Sequence, residues 1–403
     1  MKKATINKTL DKLYARTDFA KRRQAVYSSK NYSQAGIKKL CRKLGNPQDH
    51  FKTVHIAGTK GKGSTASFLA DILHQNHINT GLYLSPQIID ERDRFFINNK
   101  KISWTVFTKA CRTIEKAAKD INLTVFDVFT AMAFWIFKQK NITIAVIETG
   151  LGGRLDSTNI IKPVLSIITP VNYDHTDKLG NTLKAIASEK AGIIKKNIPC
   201  ISPDQARPVN AVIKKTCRRR NSKYIPLQSF RIPETLFLPP FQKQNLQLAL
   251  TAASRLKLDT GYKLIKKLSL PFGRYTKKKN IIFDGAHNPF AMQNLVHSVK
   301  KDKTNRKFFR KNIIFYLYPD KKSIAFLKEI PAAWKKYYYL LGLDYIGNAA
   351  ETAAYNKINK RFHTQLLTDF HDIKKIFNKK ELFIFTGSFS LIGKLYKKVL
   401  RLL

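Results

Sequence analysis

The chain has 403 residues, enough at roughly 100–200 residues per domain for two domains with a sizeable core. Its 74 Lys and Arg against 27 Asp and Glu leave a formal charge of +47, yet 43% hydrophobic and 11% aromatic content excludes a disordered basic tail. The first 14 residues are charged and lack an apolar h-region, so no secretory signal is expected. The most apolar run, Val128-Phe-Thr-Ala-Met-Ala-Phe-Trp-Ile-Phe137, is about half the length that spans a bilayer, which argues against a membrane protein.

Four cysteines without a C-x-x-C pair speak against a zinc or disulfide scaffold and place the chain, with reduced thiols, in the cytoplasm. The charge is spread along the chain, densest at Lys214-Lys-Thr-Cys-Arg-Arg-Arg220, Tyr275-Thr-Lys-Lys-Lys279 and residues 300–311. A lysine-rich solvated surface is the expected reading, with nucleic acid disfavoured as a partner and a monomer expected.

In chain order, apolar runs of strand length alternate with segments of helical period, the pattern of an α/β protein with a mainly parallel sheet. The first part predicts a helix over 36–44, a strand over 53–57, a helix over 64–77 and a strand over 80–84. Helices over 104–119 and 126–138, strands over 142–147 and 165–170, and helices over 182–191 and 246–256 follow. The pattern breaks at Pro271 and Gly273, and a second α/β block has strands near 280–283, 313–318, 337–341 and 382–385.

Val54-His-Ile-Ala-Gly58-Thr-Lys-Gly-Lys-Gly-Ser-Thr65 runs from an apolar strand through a glycine-rich turn into a helix. Such a turn lets backbone N–H groups approach phosphates, and the helix N-terminus adds positive potential. Lys62 would reach the β and γ phosphates and Ser64 would offer a hydroxyl beside a metal. The strict G-x-x-x-x-G-K-[ST] pattern is not met, because Ile56 replaces its first Gly and Gly63 follows the lysine. A flexible loop capping a helix at Ser64 is the competing reading. The strand ending at Glu148 leads into Thr149-Gly-Leu-Gly-Gly-Arg-Leu-Asp-Ser-Thr-Asn159, and another runs into Val171-Asn-Tyr-Asp-His175. A carboxylate at the carboxyl end of a strand is well placed to hold Mg²⁺ on a nucleotide. His74 and His77 have zinc-like spacing without a nearby carboxylate or Cys, and read as ordinary helix histidines.

These strings, with Leu84-Ser-Pro86, Ser188-Glu-Lys-Ala-Gly-Ile-Ile-Lys195, Phe283-Asp-Gly-Ala-His-Asn-Pro289 and Phe385-Thr-Gly-Ser-Phe-Ser-Leu-Ile-Gly393, stand in a fixed order. Together they resemble folylpolyglutamate synthase, in its bacterial form bifunctional with dihydrofolate synthase, within the Mur ligase superfamily. The resemblance implies a P-loop Mur-ligase-type ATPase domain with a mainly parallel sheet over 1–269. A smaller Rossmann-like α/β domain would cover 270–403. It implies that ATP converts a carboxylate of dihydropteroate or a reduced folate into an acyl phosphate, which the amine of L-glutamate then attacks. Domain closure would bring the reactants together.

The resemblance also assigns residues. Thr59, Lys60, Gly61, Lys62, Gly63 and Ser64 would cradle the phosphates, and Asn245, Arg274 and Asp284 would touch the nucleotide, with His287 and Asn288 in the same second-domain motif. Ser85, Glu148 and His175 match magnesium ligands. Thr124, Val125, Phe126 and Asp127 together with Leu155, Asp156 and Ser157 match pterin contacts. From the residues alone, Phe126 reads as a core aromatic and Asp127 as a helix-start carboxylate. Lys190 reads alone as a solvated helix-end lysine; the resemblance makes it a catalytic lysine, beside Lys62 and His175, that CO₂ carbamylates. The family's usual residues are replaced at Lys60, Gln87, Phe241, Asp320-Lys-Lys322 and Gln34-Ala35. The last of these positions bears on a dihydropteroate contact and so on bifunctionality. Two rival readings are a UDP-muramyl-peptide amino-acid ligase of the same superfamily, and a basic P-loop protein that binds nucleic acid.

Overall fold

Strand β1 (Lys52–Ala57) is buried at every position after its first, so its run Val54-His-Ile-Ala57 is apolar on both faces apart from His55, as a strand covered on both faces requires. Burying Val54 and Ile56 completely contributes about 1.5–3 kcal/mol each. The computed structural model describes residues 33–403 except 234, 235, 237, 269–271, 318–322 and 340–347. Residues 1–14, Asp320-Lys-Lys322, the centre of the 268–274 break and the ends of the strands expected at 313–318 and 337–341 lie outside the described residues.

The described residues fall into two compact units, one from residues 33–86, 92–236 and 244–268, the other from residues 87–91, 238–243 and 272–403. In chain order the first holds α1 (Ala35–Lys43), β1, α2 (Lys62–Gln75), β2 (Thr80–Tyr83), β3 (Phe95–Ile97), β4 (Lys100–Lys101), α3 (Trp104–Ala117) and α4 (Val125–Gln139). It continues with β5 (Ile144–Glu148), β6 (Leu165–Ile168), α5 (Thr176–Leu179), α6 (Leu183–Ala191), β7 (Cys200–Ser202), α7 (Arg207–Arg219) and β8 (Tyr224–Pro226). Next come α8 (Pro240–Arg255), which belongs to this unit from Gln244 onward, and α9 (Tyr262–Ile265). Its strands order as β4-β3-β2-β5-β1-β6-β7-β8, and from β2 to β8 every pairing is parallel.

The register positions the site. Ile56 pairs with Glu148, Ala57 with Ile168 and Tyr83 with Ile147. The carboxyl ends of β1, β2, β5 and β6 therefore lie side by side, and the loops after them open on one edge of the sheet, where open α/β sheets bind ligands.

The second unit contains β9 (Thr276–Lys278), β10 (Ile281–Phe283), α10 (Pro289–Lys301), β11 (Lys311–Phe315), α11 (Ser323–Lys328) and β12 (Lys335–Tyr339). After them come α12 (Asn348–Phe362), β13 (Gln365–Leu367), α13 (Phe370–Ile376), β14 (Leu382–Thr386) and α14 (Phe389–Leu400). Its sheet orders as β13-β12-β11-β14-β10-β9, parallel except at β9. Phe283, Phe315 and Phe385 are fully buried in its core.

Expected elements recur with ends shifted by a residue or two; α8 differs more, starting at Pro240 where 246 was expected. Among the described residues, no helix is long and apolar enough to cross a membrane. The basic run 214–220 proves to be mostly the end of helix α7, whose Val209, Ile213 and Cys217 are buried at helical spacing while its cations face outward.

Candidate active site

The phosphate loop joins β1 to α2. Gly61 is the N-cap of α2 with φ 86°, in the left-handed region that favours glycine, and supplies no capping side chain. The first-turn N–H groups of this 14-residue helix have no intrahelical carbonyl to bond and are available to an anion. Thr59 and Lys60 anchor the loop by donating their N–H groups to Pro170 O at 2.9 and 3.2 Å. A side chain at Gly61 would place its Cβ 2.1 Å from Asn245 Oδ1, so the loop and α8 touch here. Gly61→Ala is expected to displace Asn245 and weaken nucleotide binding at least tenfold with the melting temperature little changed, read by nucleotide titration; unchanged affinity would remove Asn245 from the site.

Two ammonium groups converge behind the loop. Lys62 Nζ donates to Gly58 O at 3.1 Å and Lys190 Nζ donates to the same oxygen at 2.9 Å. Lys190 is 4% exposed, which corrects the solvated helix-end reading: the end of α6 points inward. Burial, and next the Lys62 charge, hold its pKa down to about 7 from 10.5. The loop after β5 explains this placement. A Cβ at Gly153 would lie 2.8 Å from Glu189 O and 2.9 Å from Lys190 O, so only glycine lets the loop rest on the end of α6. Arg154 then forks onto Glu189, with Nη2 donating to Oε1 at 2.8 Å.

Glu148 ends β5 almost fully buried, and its Oε2 accepts the Ser85 N–H at 2.9 Å. The same oxygen would lie 3.3 Å from a Cβ at Gly63, which sets the carboxylate directly behind the phosphate loop. His175 caps α5 with φ 47°. Desolvation lowers its pKa, and Lys62 and Lys190 push it further down against Asp174 and Asp177. Among the described residues, no three His, Cys, Asp or Glu side chains gather into a metal cluster of their own. A hard divalent ion held on a nucleotide needs only one or two carboxylates besides phosphate oxygens, and this donor set fits such an ion.

The residues matched to pterin contacts form a second cluster. Thr124 and Asp127 make a capping box at the start of α4, with Thr124 N donating to Asp127 Oδ2 at 2.7 Å and Asp127 N to Thr124 Oγ1 at 2.9 Å. The other carboxylate oxygen accepts Ser157 Oγ–H at 2.6 Å, so Asp127 both caps its helix and holds the 155–157 segment. Val125, Phe126 and Leu155 are half-buried, and the Phe126 ring would lie 2.6 Å from a Cβ at Gly150. Gln34, in the segment whose Gln34-Ala35 pair departs from the resemblance, donates Nε2–H to Asp156 O at 2.8 Å and Arg154 O at 3.3 Å. An ionised carboxylate could make neither bond.

In the second unit Asp284 is buried, accepts Tyr275 N–H and Ala286 N–H at 2.8 and 2.9 Å, and is pushed up to about 6 by burial against the opposing Arg274 charge. Arg274 lies 4.5 Å above the Phe389 ring. His287 Nδ1 is 2.8 Å from Gly285 O, and Asn288 caps α10 by accepting Ala291 N–H at 2.9 Å. Sequence reasoning missed His55 and Thr158, fully buried and 2.8 Å apart between His55 Nε2 and Thr158 Oγ1. The only signal was a polar residue inside an apolar strand.

A glycine-rich strand-to-helix loop at the carboxyl edge of a parallel sheet, with lysines and a buried carboxylate behind it, is the arrangement of a P-loop nucleotide-binding domain. The Mur ligase middle domain model matches residues 56–200. The chain is 36% identical over 297 residues to a probable dihydrofolate synthetase of Schizosaccharomyces pombe, covering 66% of this chain and 71% of that protein. It is 30% identical over 303 residues to folylpolyglutamate synthase of Lacticaseibacillus casei, covering 65% and 71%. The crystal structure of folylpolyglutamate synthase from Thermotoga maritima superposes with a TM-score of 0.79 at 27% identity, covering 90% of this chain and 92% of that one. The chain belongs to the folylpolyglutamate synthase/dihydrofolate synthase family and is an ATP-dependent ligase.

Proposed function

We propose that the protein adds L-glutamate to dihydropteroate, to reduced folates, or to both, through an acyl phosphate. The observation that carries this reading is the meeting of Lys62 and Lys190 on the Gly58 carbonyl, with Glu148 behind the same loop. An anionic carboxylate attacking an anionic γ phosphate faces an electrostatic barrier, and cations fixed in place before reaction lower it. Lys62 leaves the Gly58 carbonyl to meet the γ phosphate, while the α2 N-terminus and Lys60 hold the remaining phosphate charge. The acceptor ring packs on Phe126, and the 155–157 segment orients it. Asn245 positions the nucleotide from α8.

Mg²⁺ held by the Ser85 hydroxyl, the Glu148 carboxylate, the His175 ring and a carbamylated Lys190 would supply charge neutralisation between the phosphates. Glu148→Gln keeps the acceptor for Ser85 N–H but removes the charge. It is expected to raise the Mg²⁺ concentration for half-maximal activity about tenfold or more, measured by titrating Mg²⁺ at fixed ATP.

The reading is tested by ADP release with dihydropteroate, tetrahydrofolate and a muramyl nucleotide supplied in turn with glutamate. Stimulation by either pterin acceptor supports it. Stimulation by the muramyl nucleotide alone, or by none of the three, overturns it.

A further inference from the structure

Three side chains link the centre of the sheet to the pterin segment. His55, on β1, is fully buried, and its Nε2 lies 2.8 Å from Thr158 Oγ1. Thr158 Oγ1 lies 2.5 Å from Asp156 Oδ1, which also accepts Thr158 N–H at 3.0 Å. Asp156 Oδ2 accepts the N–H groups of Gly150 and Leu151, both at 2.9 Å. The carboxylate thus takes four donors, and two of them fix the turn whose Gly150 faces the Phe126 ring.

The donor inventory orients the chain of bonds. An ionised Asp156 only accepts, so the Thr158 hydroxyl hydrogen goes to it, and the hydroxyl lone pair is left to receive a hydrogen from His55. The imidazole must then carry its proton on Nε2. Its Nδ1 has no hydrogen-bond partner among the described residues, which fits a bare acceptor nitrogen. Burial, with Lys195 adding to it, lowers the His55 pKa to about 3, so the ring stays neutral in ordinary buffers. Burial raises the Asp156 pKa while its four donors pull it down.

We infer that His55 is a positioning residue: its Nε2–H, through the Thr158 hydroxyl, fixes the Asp156 carboxylate and thereby the Gly150–Leu151 turn and the 155–157 segment that orient the pterin acceptor. Resting on the proposed acceptor, this inference goes further by assigning its alignment to a residue that never touches it.

Thr158→Val keeps the shape and breaks the middle of the relay, and is expected to raise the acceptor KM about tenfold while leaving the ATP KM near wild type, since a buried donor and acceptor lose their partner. His55→Gln, which keeps an N–H donor, is expected to retain most acceptor affinity; His55→Leu is expected to behave like Thr158→Val, with no further loss in the double variant. Nitrogen NMR of the labelled wild-type protein is expected to show a neutral Nε2–H tautomer that does not titrate between pH 5 and 8. An Nδ1–H tautomer, or equal rises in both KM values for Thr158→Val, overturns the inference. The tautomer needs no turnover, so a wild type inactive with every pterin acceptor but carrying Nε2–H defeats only the proposed acceptor.

Discussion

Replacing Lys62 with alanine is expected to lower turnover about 10²–10³-fold while the glutamate KM and the fold stay near wild type. Lys62 is the first residue of α2, half-buried, and its Nζ donates to Gly58 O. Losing that bond costs little stability, because Lys190 still donates to the same carbonyl. On the role proposed for Lys62, what is lost is a charge held where the γ phosphate develops its own, and that interaction would matter more in the transition state than in the bound ground state. Lys60 gives the contrast. Its backbone N–H anchors the loop whatever the side chain, so Lys60→Asn is expected to change ATP affinity only modestly, by about threefold, through screened charge. Equal turnover losses in the two variants would reverse these roles; steady-state kinetics at two salt concentrations decides.

Much of the first sheet was legible because its central strands are buried on both faces, so the runs at β1, β5 and β6 are mostly apolar, broken inside the strands only by Thr53, His55 and Ser166. Strands β7, β8, β9 and β13 were not, because each spans three residues and leaves no period to read. Helix α7 was hidden by its own charge: the seven residues 214–220 read as a basic run, although Val209, Ile213 and Cys217 mark a buried face four residues apart.

At the site, motif order placed the loop, Glu148 and Lys190 on one list, but not in space. Nothing near Gly61 in sequence indicates that Asn245 lies against it; that contact exists only once α8 packs on the unit. Lys190 illustrates the opposite error. A lysine in the last turn of a helix ordinarily reaches solvent, and only Gly153, by letting the 150–154 loop lie on the end of α6, turns this one inward. The capping-box spacing of Thr124 and Asp127 was present in the sequence, while the second use of Asp127, holding Ser157, required the fold.

Lys190→Ala is expected to lose most activity, and a short carboxylate such as acetate is expected to restore part of it. The physical case begins with the amine. A lysine at its ordinary pKa of 10.5 is almost wholly protonated at neutral pH, and an ammonium has no lone pair for CO₂. Burial and the Lys62 charge bring Lys190 to about 7, so a large fraction is neutral in the working range. Its Nζ lone pair forms a bond to the carbon of CO₂ and releases a proton, leaving an anionic carbamate with two oxygen acceptors. That group no longer donates to Gly58 O and suits a hard divalent ion beside the phosphates, where an ammonium repels one. The folded pKa lies below the unfolded one, so the charged amine destabilises the fold; the penalty is full below about pH 7 and fades as pH rises toward 10.5. In CO₂-free buffer, denaturant midpoints are therefore expected to rise across that window for wild type and to stay flatter for Lys190→Met. With labelled bicarbonate, a carbon NMR carbamate signal and activity are expected to rise together as pH passes through about 7. Full activity in rigorously CO₂-free, carboxylate-free buffer, with no carbamate signal, would leave Lys190 as a plain buried cation.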